Sequence, residues 1–214
     1  MIENASGIIL RTRPFTETSL IVHWLTAEVG RVSTVAKGGR RPNSPFRGKL
    51  DLFYLADLSF VRSRRSELHT LREVSLKSSR KAMREDFDLL QQASYAAALV
   101  EQATEVETPL PAVFRLMNAF LAQLEKRAAG PALIFAFELQ LLNELGLQPD
   151  LAETRLSAGG KEITAQLQEK DFALAGRIKL THSQGSELKQ FLQGFLVFHL
   201  GKVPRSRASA LREM

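Results

Sequence analysis

Hydrophobic positions change their period once along the chain, close to Ser78. Before that point the apolar residues fall in short runs. Gly7-Ile8-Ile9-Leu10, within Ser6 to Arg13, is closed by a turn at Pro14. After Thr18, Leu20, Val22 and Trp24 alternate with Ile21, His23 and Leu25, the pattern of a strand covered on both faces. Glu28-Val29-Gly30 reads as a turn, and Arg31 to Ala36 alternates Val32 and Thr34 with Ser33 and Val35, which predicts a hairpin. Leu50 to Val61 is rich in Leu, Phe and Tyr, Arg62 to Ser66 is a polar turn, and Leu68 to Leu76 closes the series. Five strand-like runs separated by turns suit a small closed barrel. The oligonucleotide-binding (OB) barrel is the best match, although an SH3-like barrel has a similar strand count and spacing alone does not separate the two.

Beyond Ser78 the period becomes helical. Leu89, Leu90, Ala93, Ala97 and Val100 mark one amphipathic helix; Val113, Leu116, Met117, Phe120, Leu121 and Leu124 mark a second. Thr108-Pro109-Leu110-Pro111 separates them, because proline is accepted at a helix's first turn and not in its interior. After Gly130-Pro131, a third helix carries Leu133, Ile134, Phe137, Leu141, Leu142 and Leu145 and stops at Gly146. From Asp150 to Leu180 the period is lost, and Gly159-Gly160 and Gly176 break the segment into runs that read as small strands or hairpins. A last helix, starting after Ser186 as N-cap, aligns Leu188, Phe191, Leu192, Phe195, Leu196 and His199. The pattern predicts an α+β protein: a barrel domain over 1–80 and a helical domain over 81–214. The latter includes a small β-rich insertion at 150–180 and a basic, partly disordered tail at 201–214.

Composition adds the position of the charge. The 214 residues, 44% hydrophobic and 24% charged, are those of an ordinary globular protein with formal net charge +6. Residues 1–81 hold 15 Lys and Arg against 7 Asp and Glu, the remainder 14 against 16, so the excess belongs to the barrel. It peaks between Lys37 and Lys49, where Lys37, Arg40, Arg41, Arg47 and Lys49 occur with no acid, next to the glycine pair Gly38-Gly39. Glycine permits positive φ and close backbone approach, so such a loop can lay amides and cations along one polyanion. The competing reading is a solvated loop that protects a strand edge. Of the aromatic residues that could stack a base, Phe15, Trp24, Phe46, Phe53, Tyr54 and Phe60, most sit in dense apolar runs. Phe46, inside the basic loop, is the candidate for stacking or for anchoring that loop.

Other chemistry is poorly supported. Without cysteine there are no disulfides, thiolate nucleophiles or cysteine-based zinc sites. No phosphate-binding P-loop, GxSxG or HExxH motif occurs, and His23, His69, His182 and His199 are widely spaced. No catalytic residue, cofactor or metal is therefore expected. An unrecognised enzyme site would have to draw on groups such as His182, Glu138 or Glu144. The N-terminus lacks the pattern of a secretory signal and no window is apolar enough to span a membrane, which predicts a soluble, cytoplasmic protein.

Gly7 to Gly48, Ser66 to Leu76, FELQLLNELGLQPDL (Phe137 to Leu151) and HLGKVPRSR (His199 to Arg207) together resemble the bacterial recombination mediator family RecO. The resemblance implies an OB-fold domain that binds single- and double-stranded DNA, then a helical domain with a small zinc-finger-like insertion. It further implies annealing of complementary strands coated by single-stranded DNA-binding protein. The partners implied are RecR and the acidic tail of that coating protein, with RecF and RecA beyond them. On matching positions Lys37, Arg40, Arg41 and Arg47 would contact DNA. Arg11, Arg13, Arg62, Arg64 and Arg65 would be further phosphate contacts; Lys49 and Phe46 join the DNA-binding candidates from their place in the basic loop. Arg115, Lys126, Arg127, Lys202 and Arg205 are candidates for partner binding, around a pocket near the third and last helices. Where many members carry Cys-x-x-Cys-Gly, this chain reads Ala152 to Gly160 without cysteine, so the insertion would be metal-free. The alternative is an OB module for RNA or a ribosomal surface, with no annealing activity.

Overall fold

The computed structural model describes residues 2–127, 129–169 and 171–212. Two compact units are present: Met1–Lys81 with Thr104–Asn118, and Ala82–Ala103 with Ala119–Met214.

In the first unit, strands β1 (Ile2–Pro14), β2 (Leu20–Thr26), β3 (Gly30–Ala36), β4 (Leu55–Val61) and β5 (Leu68–Ser78) close into a barrel in the order β1-β2-β3-β5-β4. All pairings are antiparallel except β3 with β5. This is the OB-fold barrel, and its closure rests on β1, which is long enough to serve two neighbours. Ile2–Ile8 pairs with β4 and Gly7–Pro14 with β2, and a bulge between Ile9 and Arg11 turns the strand from one to the other. At the bulge, Ile9 donates its N–H to the Tyr54 carbonyl and accepts from the Phe53 N–H, so the end of the β3–β4 connection covers groups the ladder leaves open. Ile9, Val22, Trp24, Val32, Leu58, Phe60 and Leu71 fill the interior. The Trp24 indole N–H donates to Thr34 Oγ1 at 2.9 Å. The run from Leu50, expected to be strand throughout, becomes strand at Leu55, because Leu50–Tyr54 is spent on capping the barrel.

The returning segment Thr104–Asn118 belongs to this unit as well. The Glu107 N–H donates to the Arg31 carbonyl at 2.8 Å, and the Arg31 guanidinium donates to Thr104 Oγ1 and its carbonyl at 2.9 and 2.6 Å.

The second unit contains α1 (Ala82–Glu85), α2 (Phe87–Ala103), the latter part of α3 (Pro111–Glu125), α4 (Pro131–Glu144), α5 (Ala158–Glu169), α6 (Phe172–Ala175), α7 (His182–Leu200) and α8 (Arg207–Ala210). Helix α4 is the centre, buried from Ala132 to Leu139 without a solvent face. Phe120, Phe137 and Phe172 form an aromatic cluster beside it. Among the described residues no helix is long and apolar enough to cross a membrane.

Three expectations are corrected here. The segment 150–180 holds helices α5 and α6 and, among the described residues, no strand. Gly159-Gly160 lies in the first turn of α5, where the Ser157 hydroxyl accepts from the Gly160 N–H. A side chain at Gly160 would meet the Glu187 carboxylate at 2.6 Å, so this glycine serves close packing and not a turn. Helix α7 begins earlier than Ser186, because Thr181 and Gln184 form a reciprocal capping box. The tail is ordered at Arg207, which is only 4% exposed.

Arg207 donates to Glu138 Oε1 and Oε2 at 2.6 and 2.9 Å, and the Tyr95 hydroxyl donates to Oε1 at 2.5 Å. Burial first, then the Glu138 carboxylate, push the Tyr95 hydroxyl well above its ordinary pKa, so it remains a donor. Desolvation opposes the charge on Arg207, but the hydrogen bonds and charge of Glu138 outweigh it and hold its pKa above the ordinary value. Glu138→Gln or Arg207→Met therefore lowers the stability of the protein by about 3–5 kcal/mol, because each strands a buried charge. The double replacement Glu138→Leu/Arg207→Met loses much less, and urea denaturation of all three variants checks this.

Candidate nucleic-acid interface

The basic loop leaves β3 at Ala36 and is folded by a chain of tight turns. Gly39, Arg41, Ser44, Arg47 and Lys49 donate their N–H groups to the carbonyls of Ala36, Gly38, Arg41, Ser44 and Phe46. Gly38 takes φ +70°, a left-handed conformation that glycine adopts without strain. The loop is also stitched to the turn between β1 and β2. The Arg40 N–H donates to the Thr18 carbonyl at 2.9 Å, the Arg40 guanidinium to the Thr16 carbonyl at 3.0 Å, and the Gly38 N–H to Ser19 Oγ at 3.4 Å. Lys37, Arg40, Arg41 and Arg47 are exposed, and Lys49 is half-buried.

Phe46 is placed otherwise than a base-stacking residue requires. Its ring is 6% exposed and packs in the barrel core with Trp24, Val32 and Tyr54, so it anchors the loop and presents no face to solvent. Of the six candidate rings the exposed one is Phe15, at 53%, in the β1–β2 turn that the loop is stitched to. Phe15, Thr16, Thr18, Lys37, Gly38 and Arg41 line a cleft of about 400 Å³. Phe15 carries no signal in sequence beyond lying among polar residues, a setting it shares with Phe46, whereas Trp24, Phe53, Tyr54 and Phe60 sit in apolar runs.

The remaining cations divide into separate groups. Arg11 and Arg13 are exposed on β1, with Arg11 opposite His23 and Arg13 opposite Ile21 on β2. Arg64 and Arg65 are exposed in the β4–β5 turn. Register puts that turn beside Ile2, at the far end of β1 from Pro14, Leu20 and Ala36. They therefore extend no patch around the basic loop. Arg62 is not available to a phosphate in the way its neighbours are. It donates to both Glu3 oxygens at 2.6 and 3.0 Å and to Glu107 Oε2. Its hydrogen bond to Glu3, ahead of the other contributions, holds the Glu3 carboxyl below its usual range. The other Glu107 oxygen meets Nε2 of the buried His69 at 2.6 Å, so Arg62 fastens segment 104–108 to the barrel.

Of the cations expected to serve partner binding, Arg115 falls in the first unit, whereas Lys126, Arg127, Lys202 and Arg205 fall in the second. All five are exposed, and Arg127 pairs with Glu85 at 3.0 Å. A cavity of about 500 Å³ opens in the second unit at the N-termini of α4 and α7, lined by Pro131, Leu133, Ile178, Lys179, Leu180 and His182. Glu138 is enclosed with Arg207 and lines no such opening.

Residues 1–80 match the family model described as recombination protein O N terminal, and residues 84–155 that described as recombination protein O C terminal. The chain is 33% identical over 151 residues to the DNA repair protein RecO of Bacillus subtilis, a match covering 71% of this chain and 58% of that protein. It is 29% identical over an alignment of 231 residues to that of Anaeromyxobacter dehalogenans, covering 92% and 91%. With the RecO of Rhodopirellula baltica it shares 29% over 170 residues, 79% of this chain and 62% of the other. The chain thus spans less than two thirds of some of these relatives and nearly all of another.

His23 reports on the charge of the β1–β2 surface. Burial first, then Arg11, Arg13 and Arg31, lower its pKa to about 4 from an ordinary 6.5. Its contribution to stability is full above pH 6.5 and is lost as pH falls towards 4, because the unfolded chain takes up the proton first. A polyanion lying on Arg11 and Arg13 cancels part of their field. A proton NMR titration of the His23 ring then gives a pKa near 4 for the free protein and a higher one with a bound oligonucleotide. An unchanged value would place the polyanion elsewhere.

Proposed function

The chain belongs to the RecO family, and on that premise we propose that it acts in DNA repair and recombination by binding single- and double-stranded DNA and annealing complementary strands. The observation that carries this reading is the basic loop: Lys37, Arg40, Arg41 and Arg47 exposed together, with no acid among them, on a backbone fixed by tight turns. Two complementary strands repel each other. A cationic surface that holds both neutralises phosphates, releases counterions and raises their local concentration, after which base pairing drives annealing. No bond to a substrate is made or broken. The cations address phosphates and not base edges, so binding is nearly independent of sequence and strongly dependent on salt.

Within this reading Arg11 and Arg13 add phosphate contacts on β1, and Arg64 and Arg65 meet a separate stretch of strand at the other end of the barrel. The second unit docks proteins. The cavity between the starts of α4 and α7 joins apolar walls to Lys179 and two helix N-termini, which suits an acidic peptide with an apolar tip such as the tail of single-stranded DNA-binding protein. Lys126, Arg127, Lys202 and Arg205 would be charged partners on that unit. RecR is the expected working partner, with RecF and loading of RecA downstream.

Annealing of complementary oligonucleotides precoated with single-stranded DNA-binding protein tests the proposal. The parent protein anneals quickly and is inhibited by salt. The combined Lys37→Ala, Arg40→Ala and Arg41→Ala replacements abolish most of that activity and flatten the log–log salt slope of single-strand binding by about 2, roughly 0.7 per lost phosphate contact. A parent that prefers structured RNA over DNA and does not anneal would favour an RNA-binding OB module instead.

A further inference from the structure

We propose that the cleft between the β1–β2 turn and the basic loop takes one unstacked nucleotide of single-stranded DNA, its base against the Phe15 ring and its phosphate on Lys37 and Arg41. The inference rests on the reading that the basic loop binds DNA and adds to it a reason for preferring single strands.

Three observations converge on the cleft. Among the described residues of the first unit, Phe15 is the one exposed aromatic ring, since Trp24, Phe46, Phe53, Tyr54, Phe60 and Phe114 are all buried. A phenyl ring left half in water on a turn of polar residues contributes little to folding. The backbone that carries it is nevertheless fixed. The Phe15 N–H donates to the Ser19 carbonyl at 3.0 Å, and Thr16 Oγ1 accepts from the N–H groups of Thr18 and Ser19 at 3.3 and 3.0 Å. The ring is thus presented by a closed turn whose backbone is already ordered before binding.

Next to it, Lys37 and Arg41 supply charge from the stitched loop, with Arg41 folded over Gly38. Glu17, the acid of the β1–β2 turn, does not line the opening. The volume of about 400 Å³ lies at the small end of ligand pockets, roughly 300–1,000 Å³, with space for one nucleotide and none for a duplex. An aromatic face flanked by two phosphate-seeking cations is the arrangement by which single strands are held without regard to sequence, because every base offers a π-face. A duplex keeps its bases stacked on one another, so Phe15 gives it nothing while the cations still meet its phosphates.

The test compares Phe15→Ala, Phe15→Trp and the pair Lys37→Ala/Arg41→Ala, measuring anisotropy with labelled oligo(dT) and with a hairpin duplex over a range of NaCl concentrations. Phe15→Ala should weaken oligo(dT) binding roughly 5- to 150-fold while changing duplex binding less than about 2-fold and leaving the salt slope unaltered. Phe15→Trp should retain oligo(dT) affinity and show fluorescence quenched by the oligonucleotide, against a constant background from the buried Trp24. The Lys37/Arg41 pair should weaken both ligands and flatten the slope. If Phe15→Ala leaves oligo(dT) binding intact, or weakens both ligands alike, the nucleotide subsite is wrong while the loop reading stands. If the cation pair changes neither ligand, the loop reading fails and the subsite with it. Phe15 is exposed, so unchanged thermal unfolding of its variants confirms that binding and not folding is being read.

Discussion

The burial of one phenylalanine ring holds the charged surface of this protein in shape. Five cations between Lys37 and Lys49 repel one another, and a free chain of that composition would spread into solvent. Phe46 prevents this by entering the barrel core, a burial that contributes about 1.5–3 kcal/mol. Repulsion between two fully hydrated charges about 4 Å apart amounts to about 1 kcal/mol and falls with distance. With the ring fixed, the successive turns from Gly38 to Lys49 become affordable, and the bonds from Arg40 to Thr16 and Thr18 close the loop on the neighbouring turn. The cations are then spaced by backbone geometry and not by mutual avoidance.

The barrel that receives Phe46 depends in turn on β1. A strand shared between two neighbours must bend, and the bulge at Ile9 bends it at the cost of ladder bonds that Phe53 and Tyr54 restore. The same β3–β4 connection therefore carries the charges, plugs the barrel and repairs its bulge. At the other end of β1, Arg62 is drawn into Glu3 and Glu107, which ties the returning segment 104–108 to the barrel. An arginine recruited this way is a structural group, however basic its sequence neighbourhood.

The second unit relies on a different device. From Ala132 to Leu139 helix α4 is apolar except at Glu138, and a buried carboxylate is tolerated only because Arg207 and Tyr95 satisfy it. The pair links the middle of the unit to the end of the chain, so the basic tail is committed there by one arginine whose charge has nowhere else to go.

The five-strand barrel, the central α4 and the cationic loop were legible in sequence because each is written in a local pattern: alternation, a wide apolar stripe, a run of like charges beside glycines. These patterns follow from bonding periods of the backbone, which neighbours in sequence determine. What tertiary structure decided were the cases where two readings share one local pattern. Gly159-Gly160 could end a strand or allow Glu187 to approach a helix, and only the fold brings Glu187 there. Phe46 and Phe15 are both rings among polar residues, and the barrel interior took one and left the other in water. Arg62 and Arg207 look like Arg64 and Arg205, yet carboxylates 59 and 69 positions away claim the first pair. Period and charge are short-range properties of a chain, whereas the partner of a charge and the burial of a ring are set by contacts between residues that only closure of the fold makes neighbours.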